Sequence, residues 1–138
     1  MVIPGASDGA VTDADGFVIE GYNAGMRGIK GSPYDGGHRV PFFLRCPARG
    51  LTGGRDIAEL AANVDVMPTL LELCGIPVPE NRSFHGRSLV PLLEGNRGAW
   101  RERAVVTDSQ RVVRPVKWRQ SAVMTNRWRL VNGSELYD

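Results

Sequence analysis

The stretch Asn23-Ala24-Gly25-Met26-Arg27-Gly28-Ile29-Lys30-Gly31-Ser32-Pro33-Tyr34-Asp35-Gly36-Gly37-His38-Arg39-Val40-Pro41 decides how the rest is read. Its five glycines and Pro33 make it a poor helix and a good ordered loop. Lys30 stands between glycines two residues before it and one after, and Lys30 and Lys117 are the chain's only lysines. Glycines on both sides of a cation let the backbone approach a ligand closely. Upstream, Asp13-Ala14-Asp15-Gly16 reads as a turn followed by an extended piece at Phe17-Val18-Ile19. Downstream, Val40-Pro41-Phe42-Phe43-Leu44 is a short apolar run and predicts a buried strand.

Further along, Val64 to Gly75 predicts a helix. Asp65 stands at its N-cap, Pro68 lies in its first turn, and Gly75 is its C-terminal stop, with Pro77 beyond. Val66, Leu70, Leu73 and Cys74 form its expected apolar stripe. Ser88 to Gly95 predicts a shorter helical turn ending at glycine. The remainder is β-rich: strands are expected at Ala104-Val105-Val106-Thr107, Ser121 to Thr125 and Trp128 to Val131, with turns at Asn126 and Asn132-Gly133.

Composition excludes several classes. The 138 residues suffice for one domain with a modest core, and 42% apolar with 23% charged residues is ordinary for a globular protein. A net charge of +2 does not by itself imply nucleic acid or a membrane surface. No apolar run approaches a membrane span, and no signal peptide is visible. Cys46 and Cys74 form no CxxC or zinc spacing and are expected to be small buried residues. An EF-hand reading of Asp13 to Gly16 lacks the acidic residue at Val11 and the glutamate at Tyr22. Asn81-Arg82-Ser83 and Asn132-Gly133-Ser134 fit the glycosylation acceptor pattern.

Four ordered segments together resemble the sulfatases. The quoted loop resembles R-G-x-K-G-x-x-x-E-G-G-x-R-V-P, with Asp35 where glutamate is usual. Asp65-Val66-Met67-Pro68-Thr69-Leu70-Leu71 resembles D-x-x-P-T-L-L. Gly86-Arg87-Ser88-Leu89-Val90-Pro91-Leu92-Leu93 resembles G-x-S-L-x-P-L-L, and Glu135-Leu136-Tyr137-Asp138 resembles E-L-Y-D.

The resemblance implies an α/β fold, part of an alkaline-phosphatase-like α/β sandwich plus the beginning of a small C-terminal antiparallel sheet. Residues 1–100 would supply a late part of the main domain and residues 101–138 the start of the β-rich subdomain. It implies a sulfuric ester hydrolase whose substrate is a sulfate-ester small molecule or a sulfated sugar, with Lys30 contacting the sulfate. His38 is a second candidate for substrate binding, although a structural role in the loop is favoured. Asp35 and Arg39 are expected to organise the loop.

The family's nucleophile is a cysteine oxidised to formylglycine, in a C-x-P-S-R signature. Cys46-Pro47-Ala48-Arg49 does not match it, because proline follows the cysteine directly and Ala48 replaces the serine. The chain is therefore expected to be a C-terminal fragment, inactive alone and needing the missing N-terminal part. Calcium is expected in the full-length family, but its ligands are absent here: the usual Asp-Asn pair would fall at Ile3-Pro4, and Asp8 could substitute only with a register shift. Family members are often exported or lysosomal, and the compartment of this chain stays open. The alternatives are a related phosphate or phosphonate ester hydrolase, a non-catalytic anion-binding remnant, and an artefact of gene prediction.

Overall fold

A computed structural model describes residues 10–138, and it is a mixed α/β structure with short helices and two small antiparallel sheets. Ile3, Pro4 and Asp8, where calcium ligands were sought, lie outside the described residues. The chain divides into two compact units, one running from Phe42 to Arg103 and the other joining the described residues up to Pro41 with Ala104–Asp138. The sequence predicts a boundary between residues 100 and 101, and the first unit ends close to it, at Arg103. Contacts group the lysine-bearing loop with the C-terminal sheet.

In the first unit the expected helix forms as α2, Val66–Leu73, which follows α1, the single turn Asp35–His38 of the other unit. The stop at Gly75 is a Schellman motif, in which Gly75 N–H donates to Glu72 O at 3.1 Å and Ile76 N–H to Leu71 O at 2.9 Å. The shorter helix α3, Val90–Leu93, ends in the same way, with Asn96 N–H donating to Pro91 O at 2.7 Å.

The inward face of α2 differs from the expected stripe. Leu70 is 45% exposed and Cys74 is exposed, whereas Thr69 is wholly buried. The reason is a polar contact: Thr69 Oγ1 accepts from Leu89 N–H at 2.8 Å and donates to Asp65 O at 2.6 Å. That bond turns the Asp65–Thr69 edge, rather than Leu70, toward Leu89, Val90 and Leu92, the apolar core of this unit.

The run Val40 to Leu44 is not a strand. No described strand pairs with it, and Phe42 and Phe43 are 51% and 90% exposed. An extended apolar run with no ladder partner has nothing to hold it as sheet. Cys46 is half-buried in a tight turn, where Cys46 and Leu51 exchange backbone hydrogen bonds at 3.0 Å.

The second unit is built on an antiparallel meander in the order β3 (Val105–Asp108), β4 (Ser121–Met124), β5 (Arg129–Val131), β6 (Glu135–Tyr137). Central position explains why β4 is the most buried strand, with Ala122 and Met124 in the core beside Val131. Asn132 (φ 51°) and Gly133 (φ 73°) make the β5–β6 turn, with the pair of positive φ angles that a type I′ turn requires. The last residues therefore form a fourth strand, which their sequence had not suggested. A two-stranded ribbon, β1 (Val11–Thr12) with β2 (Val18–Glu20), completes the unit.

Candidate functional site

The loop from Asn23 to Arg39 is shaped mostly by its own backbone. Asn23, nearly buried, donates from Nδ2 to the carbonyls of Met26 and Gly28 at 2.5 and 3.0 Å. Gly28 N–H donates to Gly16 O at 2.7 Å, and Gly36 N–H to Arg27 O at 2.8 Å. The two glycines before His38 are steric necessities. A Cβ on Gly36 would overlap the carbonyl oxygen of Gly28, and one on Gly37 the carbonyl oxygen of Ser32. The strand-like start of the loop and the turn at its end are thus pressed together, where the expected plain loop contains one helical turn, α1.

Gly28 and Gly31 carry φ angles of 88° and 86°, values that L side chains rarely adopt. They bracket Lys30, which is exposed and lines an open depression of about 460 Å³. The other lining residues are Gly31, Asp108, Ser109, Gln110 and Arg111, at and just beyond the end of β3.

Side chains of the C-terminal sheet hold this loop. The Arg27 guanidinium stacks over the Tyr34 ring at 4.0 Å, donates to Asp15 O at 2.6 Å and to Tyr137 Oη at 3.0 Å, and faces Glu135 at 3.4 Å. Tyr34 Oη donates to both oxygens of Glu135 at 2.8 and 2.9 Å. The phenols of Tyr137 and Tyr34, with Arg27, hold the Glu135 carboxyl below its ordinary range. Glu135 and Tyr137 are thereby a clasp on the lysine loop, a role that their sequence alone did not reveal.

His38 is half-buried against β5. Arg129 Nη1 can only donate, so His38 Nε2, 2.7 Å away, accepts and the ring is neutral with its proton on Nδ1. Burial first, and Arg129 second, push His38 below its ordinary pKa. Asp35 pairs with Arg129 Nη2 and, more weakly, with exposed Arg39 at 3.6 Å. His38 is not among the residues lining the Lys30 depression. Its ring nitrogen Nε2 meets Arg129 instead.

Asp65 was expected as a helix cap. It occupies the N-cap position of α2 but makes no side-chain bond to that helix's N–H groups. Its carboxylate accepts from Ala62 N–H at 2.7 Å and Arg87 N–H at 2.8 Å, and Arg103 grips both oxygens. Burial pushes the Asp65 pKa up. The Arg103 guanidinium and the two N–H groups outweigh it and hold the carboxyl below the ordinary range. Arg103 lies 38 residues away, and no sequence pattern announces such a partner.

Among the described residues, no group of three or more His, Cys, Asp or Glu side chains converges as a metal would require. The acidic turn spends Asp13 Oδ1 on the N–H groups of Asp15 and Phe17, at 3.1 and 2.8 Å. Cys46 belongs to the first unit and Lys30 to the second. Arg49, beside that cysteine, pairs with Glu94 at 3.2 Å.

Comparison with known proteins gives the family. Residues 30–138 match the family model described as "N-sulphoglucosamine sulphohydrolase, C-terminal". Human steryl-sulfatase is 44% identical over 80 residues, covering 58% of this chain and 14% of that protein. An arylsulfatase of Clostridium perfringens is 41% identical over 75 residues, covering 53% of this chain and 15% of its own length. A Drosophila melanogaster extracellular sulfatase SULF-1 homolog is 36% identical over 85 residues, covering 59% of this chain and 7% of that protein. With the family model spanning most of its length, the chain belongs to the sulfatase family, in that family's C-terminal part.

Proposed function

We propose that this chain carries the sulfate-contacting lysine of a sulfuric ester hydrolase and does not hydrolyse the ester by itself. A sulfate ester is a monoanion with three non-bridging oxygens. Attack at sulfur and departure of the alcohol build negative charge on those oxygens and on the leaving group, and a fixed ammonium stabilises that charge. The observation that carries the reading is the setting of Lys30. It stands between two glycines of positive φ on a loop clasped by Glu135 and Tyr137, at the edge of a depression beside the end of β3. Such clasping pre-positions the charge, so little ordering is left for the binding step.

The attacking group is supplied from outside this chain. Cys46 is held in a tight turn and its surrounding sequence lacks the family's signature. The test is titration of the chain with inorganic sulfate, followed through the backbone amides of Lys30 and Gly31, together with an aryl sulfate turnover assay. Lys30→Ala should weaken sulfate binding roughly tenfold, the loss of one charge-assisted contact. No turnover is expected from either protein. Equal sulfate affinity of parent and variant removes the lysine assignment, and measurable turnover by the parent removes the claim of inactivity.

A further inference from the structure

The C-terminal sheet grips the Lys30 loop at a second point, besides the clasp of Glu135 and Tyr137. Arg129 lies in β5, opposite Met124 of β4 on one side and Tyr137 of β6 on the other, so its backbone is fixed by the sheet. Its side chain is only 21% exposed and reaches both ends of the single turn α1. It pairs with Asp35 through Nη2 and donates from Nη1 to His38 Nε2 at 2.7 Å.

The residues between Asp35 and His38 are the ones that seat the lysine loop. Gly36 N–H donates to Arg27 O at 2.8 Å, and a Cβ on Gly36 would come within 2.0 Å of Gly28 O. A Cβ on Gly37 would come within 2.1 Å of Ser32 O. Gly28 and Ser32 stand on either side of Lys30, each two residues from it. One helical turn is too short to persist on its own hydrogen bonds. Its place, and with it the place of both flanks of Lys30, depends on what grips it from outside.

The bond to His38 needs a neutral imidazole. A guanidinium only donates, so Nε2 must keep its lone pair. Nδ1 is buried and already carries the ring's proton, so a further proton enters at Nε2, facing the guanidinium. The charged groups around the ring are Arg129 from β5 and Asp35 from its own turn, with exposed Arg39 at 3.6 Å from Asp35. Asp35 favours the added proton, but burial and Arg129 outweigh it. We propose that Arg129 is a positioning residue for Lys30, acting through Asp35 and His38, and that protonation of His38 releases this grip, so that sulfate binding weakens in acid. The assignment rests on the reading of Lys30 given above. A histidine whose folded pKa is depressed makes its full contribution above its ordinary pKa of about 6.5, and loses it as pH falls through the folded value.

The test is titration of the chain with inorganic sulfate between about pH 7.5 and about pH 5 in about 0.15 M chloride, which screens distant charges. The sulfate dianion does not titrate over that range. Affinity of the parent should fall roughly threefold to tenfold as the binding-competent fraction shrinks, and the Gly36 N–H should lose protection against exchange in step. Glutamine offers an acceptor that does not titrate, so His38→Gln should bind as the parent does near neutrality and keep that affinity in acid. His85→Gln, in the other unit, should leave the fall unchanged. Arg129→Ala should bind weakly at both ends of the range, with Arg129→Lys recovering part of the affinity near neutrality. Exchange protection in β4 and β5 shows whether Arg129→Ala keeps its sheet; where it does not, His38→Gln decides. A parent affinity that is flat or rises in acid overturns the proposal, as does a fall that persists in His38→Gln or full affinity in a folded Arg129→Ala. Lys30→Ala binding sulfate as well as the parent removes the reading of Lys30 instead. The grip is then judged by Gly36 protection, which must fall in acid in the parent and hold in His38→Gln.

Discussion

Through its carboxylate Asp65 ties three segments of the first unit together, those of Ala62, Arg87 and Arg103. It is wholly buried, and four donors converge on its carboxylate: two backbone N–H groups and two guanidinium nitrogens of Arg103, whose own side chain is 8% exposed. A buried ion pair gains little over an apolar pair of the same shape, but removal of one partner strands the other. Asp65→Ala should therefore destabilise this unit by about 3–5 kcal/mol, read as a shift of the urea midpoint. The pH dependence has a defined sign. A carboxyl whose folded pKa is depressed stabilises fully above its ordinary pKa of about 4, and that contribution drains away as pH falls through the folded value. Melting temperature should fall as pH drops below about 4, and the Asp65→Asn variant, already destabilised, should show a flatter acid limb. An unchanged acid limb would contradict the role given to this carboxylate. The D-x-x-P-T-L-L pattern pointed to Asp65 as a helix cap, but its carboxylate is spent on other donors, and the pattern assigned Thr69 no task. Their partners, Arg103 and Leu89, stand 38 and 20 residues away, and only folding brings them together.

At the scale of elements, the glycine positions explain the sequence patterns better than propensity does. Gly86 lies against the Val64 carbonyl, where a Cβ would overlap the backbone, so the segment leading to α3 sits directly on the entry to α2. Gly36 and Gly37 do the same between α1 and the lysine loop. Gly36→Ala forces apart α1 and the backbone at Arg27–Gly28, and overpacking of this kind costs about 1–3 kcal/mol. We expect it to weaken sulfate binding at Lys30 while leaving the β3–β6 hydrogen bonds protected in amide exchange. Loss of protection throughout the sheet would show that the loop and the meander are one cooperative element. The helix stops, the hairpin turn at Asn132-Gly133 and three of the four meander strands were legible because each depends on residues adjacent in sequence. The fourth strand was not: Glu-Leu-Tyr is too short to show a period, and its strand character comes from pairing with β5.

For the molecule as a whole, the exposed apolar surface is the dominant property. Phe43, Val113, Ile19 and Leu136 are 90%, 100%, 68% and 62% exposed, and among the described residues β3 and β6 end the meander as edge strands. Surfaces of this kind associate. The isolated chain should self-associate with rising concentration in sedimentation analysis and unfold over a broad transition; a monomer with one sharp melt would refute this. The family, the helix stops and the turns were legible in short runs whose chemistry is local, and the same runs singled out Lys30 as a candidate. Folding brings Glu135 and Tyr137 onto the lysine loop, His38 against Arg129, Asp65 onto Arg103, and Arg111 to the border of the depression at Lys30. Each of those contacts joins residues far apart in the chain, and contact of that range is set by how elements pack, which no local pattern encodes.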